Sequence, residues 1–129
     1  MKPKSVAILI INSKGEVLQM LRDDKPTIQY PNTWVTIGGQ VEKGESFEDA
    51  IIREVHEELE IQLDSFELFK IYEWPEKTEA IFITHLDFDP KTINLHEGQR
   101  IEFFAKVSFK DLTLGFHDEE ILKDYFNRD

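Results

Sequence analysis

Two kinds of hydrophobic pattern alternate along the chain. From about Val6 to Ile11 and from Glu16 to Leu21 it runs in short apolar stretches rich in β-branched residues, separated by Asn12-Ser13-Lys14-Gly15. This predicts two strands joined as a hairpin. Arg22 to Thr33 loses the pattern and holds Pro26 and Pro31 among Asp, Asn and Thr, which predicts a surface loop. Trp34 to Val41 reads as a short extended piece interrupted at Gly38-Gly39. Phe66–Trp74 and Glu79–Phe88 are predicted as paired strands, and Ile101–Phe109 as another.

Two segments carry the helical period instead. Ser46 to Glu60 has no internal proline or glycine, and Ser46 with Asp49 three residues on matches a capping box. Asp118 to Phe126 places Ile121, Leu122, Tyr125 and Phe126 at helical spacing and closes the chain. Strands, a central helix, more strands and a last helix predict a mixed β-sheet covered by helices, an α/β (α+β) fold. The 129 residues, 40% of them hydrophobic, suit one domain over residues 1–129. No linker, repeat or low-complexity segment divides it.

Composition removes several chemistries. Cysteine is absent, so disulfides, thiolate zinc sites and cysteine nucleophiles are excluded. No apolar run approaches the roughly 20 residues that span a bilayer, and MKPKSVAILI carries no cleavable signal pattern, so a cytoplasmic protein is expected. The net charge of -11 disfavours nucleic acid and anionic membrane as partners. That charge is concentrated. Glu42 to Glu60 holds eight acids and two bases, and so six of the eleven net negative charges.

Advancing about 100° per residue from Glu54 puts Glu57 near 300° and Glu58 near 40°, one sector that includes the small Ala50 near 320°. Ile51, Val55, Leu59 and Ile52 span about 60° to 160° as a core stripe, and Asp49, Arg53, His56 and Glu60 lie on the predicted solvent side. Like charges at these spacings repel by roughly 0.2–0.5 kcal/mol per pair, and Arg53 alone cannot neutralise three carboxylates. A hard divalent cation can, since Mg²⁺ and Mn²⁺ prefer oxygen ligands. An acidic run is commonly just a solvated face; the neighbouring residues argue for more.

From Gly39 the sequence reads GQVEKGESFEDAIIREVHEELEI. This resembles the signature of the Nudix hydrolases, with Gly39, Glu45, Arg53, Glu54, Val55, Glu57, Glu58 and Ile61 in register. Glu60 stands where that family has the glycine that ends the helix, which draws attention to the helix terminus and the following turn. Ile37 replaces the proline common before the two glycines. Glu97-Gly98-Gln99 resembles the acidic loop of MutT-like members.

The resemblance implies an α/β/α sandwich with a mixed sheet and a Mg²⁺- or Mn²⁺-dependent enzyme that hydrolyses a nucleoside diphosphate linked to a further group. It implies that Glu54, Glu57 and Glu58 are metal ligands, with the Gly38 carbonyl and Glu97 completing the set. Glu54 is the first choice of general base and Glu97 the second, with Arg53 and Glu45 orienting Glu54. For substrate it points to Arg22 on phosphate and His117 near a base-holding position, against a loop ion pair and a surface or capping histidine; Tyr30 and Trp34, as aromatic residues, are candidates to stack on a base, against a place in the core. His56, His85 and His96 show no metal spacing, and Asp87-Phe88-Asp89 lacks the glycine and final glutamate of a calcium loop.

The leading expectation is a small-molecule nucleotide substrate, a nucleoside triphosphate (oxidised or not) cut to a monophosphate and pyrophosphate by a monomer or homodimer. A nucleotide-sugar or ADP-ribose hydrolase is the alternative within the family; Pro75 lies roughly where ADP-ribose hydrolases carry a proline, whereas their added N-terminal region has no counterpart here. A module that senses nucleotides without cleaving them is the alternative outside catalysis, and an acidic partner-binding protein without Mg²⁺ affinity is a third reading.

Overall fold

Strand β1 (Lys4–Ile11) is the spine of the molecule, because its two sets of alternating side chains serve two different cores. Val6, Ile8 and Ile10 point to one face and Ala7, Leu9 and Ile11 to the other, and all six are buried. A strand covered on both faces needs apolar residues at every position, as this run supplies. The computed structural model describes residues 2–128.

β1 turns through Asn12–Glu16 into β2 (Val17–Leu21). Asn12 shapes the turn: its Oδ1 accepts from the backbone N–H of Lys14 and Glu16 at 3.1 and 2.9 Å, and Gly15 takes φ +78°. β3 (Trp34–Val35) pairs with β2, and β4 (Ile37–Gln40) pairs antiparallel with β1 from Ser5↔Gln40 to Ile8↔Ile37. After helix α1 (Phe47–Leu59), β5 (Glu67–Glu73) and β6 (Thr78–His85) pair antiparallel, and β6 runs parallel to the whole of β1. β7 (Arg100–Phe104) pairs with β2, and helix α2 (Asp118–Phe126) follows. The result is one mixed seven-stranded sheet.

α1 packs Ala50, Ile51, Val55 and Leu59 on the Val6 face, and α2 packs Ile121, Leu122 and Tyr125 on the Leu9 face. The layers are α/β/α, as expected. Among the described residues no helix is long and apolar enough to cross a membrane.

Three sequence readings are corrected. The break in Trp34–Val41 falls at Thr36 rather than at the glycines, since the Thr36 N–H leaves the ladder to donate to Asp118 Oδ2 at 2.7 Å. The strand read as Glu79–Phe88 ends at His85, and a 3₁₀ turn at Pro90–Thr92, capped by Asp89, interrupts the loop beyond it. The strand read as Ile101–Phe109 stops at Phe104, and Lys106–Asp111 coils into a 3₁₀ turn with Val107 72% exposed. An apolar residue left in solvent misled the period there.

Candidate active site

α1 begins where Ser46 Oγ accepts from the Asp49 N–H at 3.0 Å, half of the expected capping box. Its buried arc is wider than the aliphatic stripe. Ala50, Ile51, Val55, Glu58 and Leu59 are all buried, so Glu58 lies inside the arc and not beside it; Ile52 is only half-buried. Glu54 shares that side, with its side chain 14% exposed, while Glu57 projects to solvent.

The sheet makes room for these acids through two glycines of β4. A Cβ on Gly39 would lie 2.5 Å from the Glu54 carboxylate, and one on Gly38 would lie 2.1 Å from the Val6 carbonyl oxygen. A side chain at Gly38 would run into the β1 backbone, and one at Gly39 would displace the Glu54 carboxylate.

Arg53 ties the loop after β4 to the helix. Its Nε and Nη2 donate to the two oxygens of Glu45 at 2.7 and 2.9 Å, and Nη2 also donates to the Gln40 carbonyl at 3.0 Å. Its Nη1 donates to Glu54 at 2.8 Å and Glu57 at 3.0 Å. The guanidinium hydrogen bond, helped by the Glu42 N–H, draws the Glu45 carboxyl down to about 2. A bidentate pair of this kind fixes orientation as well as charge.

Glu58 is in the opposite situation. Only 5% exposed, it leaves Oε2 without a hydrogen-bond partner. Burial first, then Glu97, Glu54 and Glu57, pushes its carboxyl up to about 9. Glu54 is also raised, chiefly by burial, although Arg53 works against it. Among the described residues no three His, Asp or Glu side chains are drawn together as a ready cation cage. The donor set fits a divalent cation all the same. The buried Glu58 oxygen has no hydrogen-bond partner, and Glu54 and Glu97 are further carboxylates on the same cavity, an oxygen-rich set that such an ion would complete.

Glu54, Glu58, Glu97, Gly38 and Gly39 line a cavity of about 650 Å³. Arg22, Gln29, Tyr30, Lys77, Phe116, His117 and Asp118 also line it. Arg22 donates through Nε to the Gln29 carbonyl at 2.9 Å, and its guanidinium lies 5.1 Å from the Phe116 ring centroid. Lys77 lies 5.3 Å from the same ring, and Tyr30 packs on it at 4.6 Å. Tyr30 is 47% exposed and thus free to meet a ligand.

Trp34 is not on the cavity wall. It is 8% exposed, edge-on to Phe104, and is a core residue at the sheet edge. His117 reaches the cavity, yet its ring is stacked on Trp74 at 3.8 Å and its Nε2 meets Glu76. It stands at the N-cap of α2 without capping through its side chain.

Phe116, Lys77 and Asp118 have no counterpart in the sequence reading. Asp118 is buried, accepts from the Thr36 N–H, and is pushed up to about 7 by burial. The signal available was an acid at the start of a helix, which the helix dipole accounts for without any site.

Similarity to known proteins gives the family and the fold. A family model described as NUDIX domain matches residues 1–125. The chain is 37% identical over 122 residues to a protein named nucleoside triphosphatase NudI from Escherichia fergusonii, covering 84% of this chain and 83% of that one. A MutT protein from Methanosarcina mazei superposes with a TM-score of 0.70 at 26% identity, covering 99% and 98% of the two chains. The NUDIX domain of Shewanella oneidensis NrtR, crystallised with ADP ribose, superposes with a TM-score of 0.78 at 12% identity over 99% and 88%, a likeness of fold alone.

Proposed function

The chain belongs to the NUDIX family and is a hydrolase of phosphoric anhydride bonds; we propose that it cleaves a nucleoside triphosphate to a monophosphate and pyrophosphate with Mg²⁺ or Mn²⁺. The observation that carries this reading is one cavity that gathers the carboxylates of Glu54, Glu58 and Glu97, with an unpartnered Glu58 oxygen, and also two cations, Arg22 and Lys77, beside the rings of Tyr30 and Phe116. A cation-bound polyphosphate joined to a base would use all of these groups. The relative 37% identical to this chain is named a nucleoside triphosphatase, which favours the triphosphate among family substrates.

Glu54, Glu58, Glu97 and the Gly38 carbonyl would hold the cation, with the exposed Glu57 turning in from Arg53 to join them. When bound, the cation would neutralise charge on the phosphoryl oxygens and lower the pKa of water. The residues of the chain do the rest. Glu54, whose carboxyl burial raises, takes a proton from the attacking water as the bridging P–O bond breaks, with Glu97 the second choice. Arg53, locked by Glu45, holds Glu54 at a fixed angle. Arg22 and Lys77 meet the phosphates, and Tyr30 with Phe116 takes the base. His117 lines the cavity with its ring engaged by Trp74, and Trp34 is left to the core. The excess of acids argues against nucleic acid as a partner.

The test is a panel of nucleoside triphosphates, nucleotide sugars, ADP-ribose and dinucleotides with Mg²⁺, read by release of pyrophosphate or phosphate. Pyrophosphate from a triphosphate is expected. Turnover confined to sugars or dinucleotides would overturn the substrate; tight nucleotide binding with no turnover would make the chain a sensing module.

A further inference from the structure

Glu60 ends α1 in the left-handed region, at φ 57° and ψ 31°. An L residue there is crowded by its own Cβ, and glycine is not. Termination itself asks nothing of the side chain, since the Glu60 N–H donates to the His56 carbonyl at 2.9 Å. A residue held in an unfavourable conformation that backbone alone would satisfy needs another reason to be there.

The side chain supplies one. Glu60 Oε2 accepts from Asn94 Nδ2 at 2.7 Å and also pairs with His96 Nε2. Two residues earlier on the helix, the Glu58 carbonyl accepts from the His96 N–H at 3.1 Å. The next residue in the loop is Glu97. Beyond it Gly98 takes φ +83°, and Gln99 is fixed by its N–H to the Leu21 carbonyl at 2.8 Å and by Nε2 to the Arg22 carbonyl at 2.8 Å. Glu97 is therefore suspended between two anchors. One is the end of α1, the other the end of β2. The stretch Glu58-Leu59-Glu60 grips the loop twice and also carries the buried carboxylate that Glu97 faces.

We infer that Glu60 is a positioning residue, whose carboxylate clasps Asn94 and His96 and so fixes Glu97 relative to Glu58 across the cavity. The inference rests on the proposed part of Glu97 at that site. Ile93 and Leu95 also pack on the core, so loss of the clasp loosens the loop locally and does not detach it.

Amide hydrogen exchange on the metal-free protein tests the clasp without reference to activity. In Glu60→Gly, exchange at His96, Glu97 and Gly98 should rise about tenfold while residues 50–58 are unchanged. Glu60→Gln, which keeps an oxygen for Asn94, should fall between Gly and wild type. Exchange at 96–98 within twofold of wild type in Glu60→Gly would overturn the inference.

Kinetics then separate positioning from folding. Glu60→Gly should lower kcat about tenfold with KM for the nucleotide unchanged. In a Glu97→Gln background it should lower kcat no further, because residues acting through one another are not additive. A full additional loss in that background would also overturn it. If the wild type turned over no nucleotide, the proposed function would fail, and exchange alone would judge the clasp.

Discussion

Two buried carboxyl groups line the cavity, Glu58 and Asp118. Glu58 has an oxygen with no partner and Asp118 has the Thr36 N–H, yet burial raises both. Glu58→Gln keeps the shape and removes the negative oxygen. Turnover with Mg²⁺ should fall roughly 100-fold or more, as loss of several kcal/mol of charge stabilisation implies. The melting temperature should no longer rise when Mg²⁺ is added. Wild-type rates in this variant would contradict the assignment. Asp118 makes a pH prediction. Its folded pKa of about 7 lies above the ordinary 3.8, so the folded state holds a proton that the unfolded chain has lost. Stability therefore declines as pH rises from about 4 to about 7, by on the order of a few kcal/mol. Asp118→Asn should flatten that part of the melting curve against pH, and an unchanged slope would count against it. Spacing on one helix made Glu58 legible in the sequence. Asp118 was not, because its partner Thr36 is 82 positions away and local pattern carries no trace of it.

At the scale of elements, the site depends on how closely β4 approaches α1. The two glycines there do different things. Gly38→Ala would set a methyl group 2.1 Å from the Val6 backbone oxygen, so the β1–β4 pairing itself must yield. A loss of at least 1–3 kcal/mol, roughly what overpacking costs, is expected in thermal or denaturant unfolding. Gly39→Ala would meet the Glu54 carboxylate at 2.5 Å, the far end of a flexible side chain that can swing aside. Its stability should change little. Its turnover should fall roughly 100-fold, as a displaced reacting group commonly costs. Equal effects of the two on stability would contradict this division. The sequence marked these glycines as an interruption, whereas they continue the strand and Thr36 breaks it. Helices were read well, with α2 predicted at its observed bounds from the helical spacing of Ile121, Leu122, Tyr125 and Phe126. Strand ends were read poorly where Val107, an apolar residue, lies in solvent.

For the whole molecule, one sheet separates two cores, and the charge collects on the α1 side of it. The mixed sheet and its helical covers were visible from alternation alone. The position of Glu97 beside Glu58 was expected only from the family resemblance, since it depends on a loop that doubles back from β6 to the end of α1. The oxygen-rich set formed there is the basis of the whole functional reading. Anomalous diffraction from crystals soaked in Mn²⁺ tests it most directly. The account expects one strong peak between Glu54 and Glu58 within about 2.0–2.3 Å of their oxygens, with Glu97 turned toward it. Carboxylates left around Arg53 as they stand here, with no peak at saturating Mn²⁺, would contradict it.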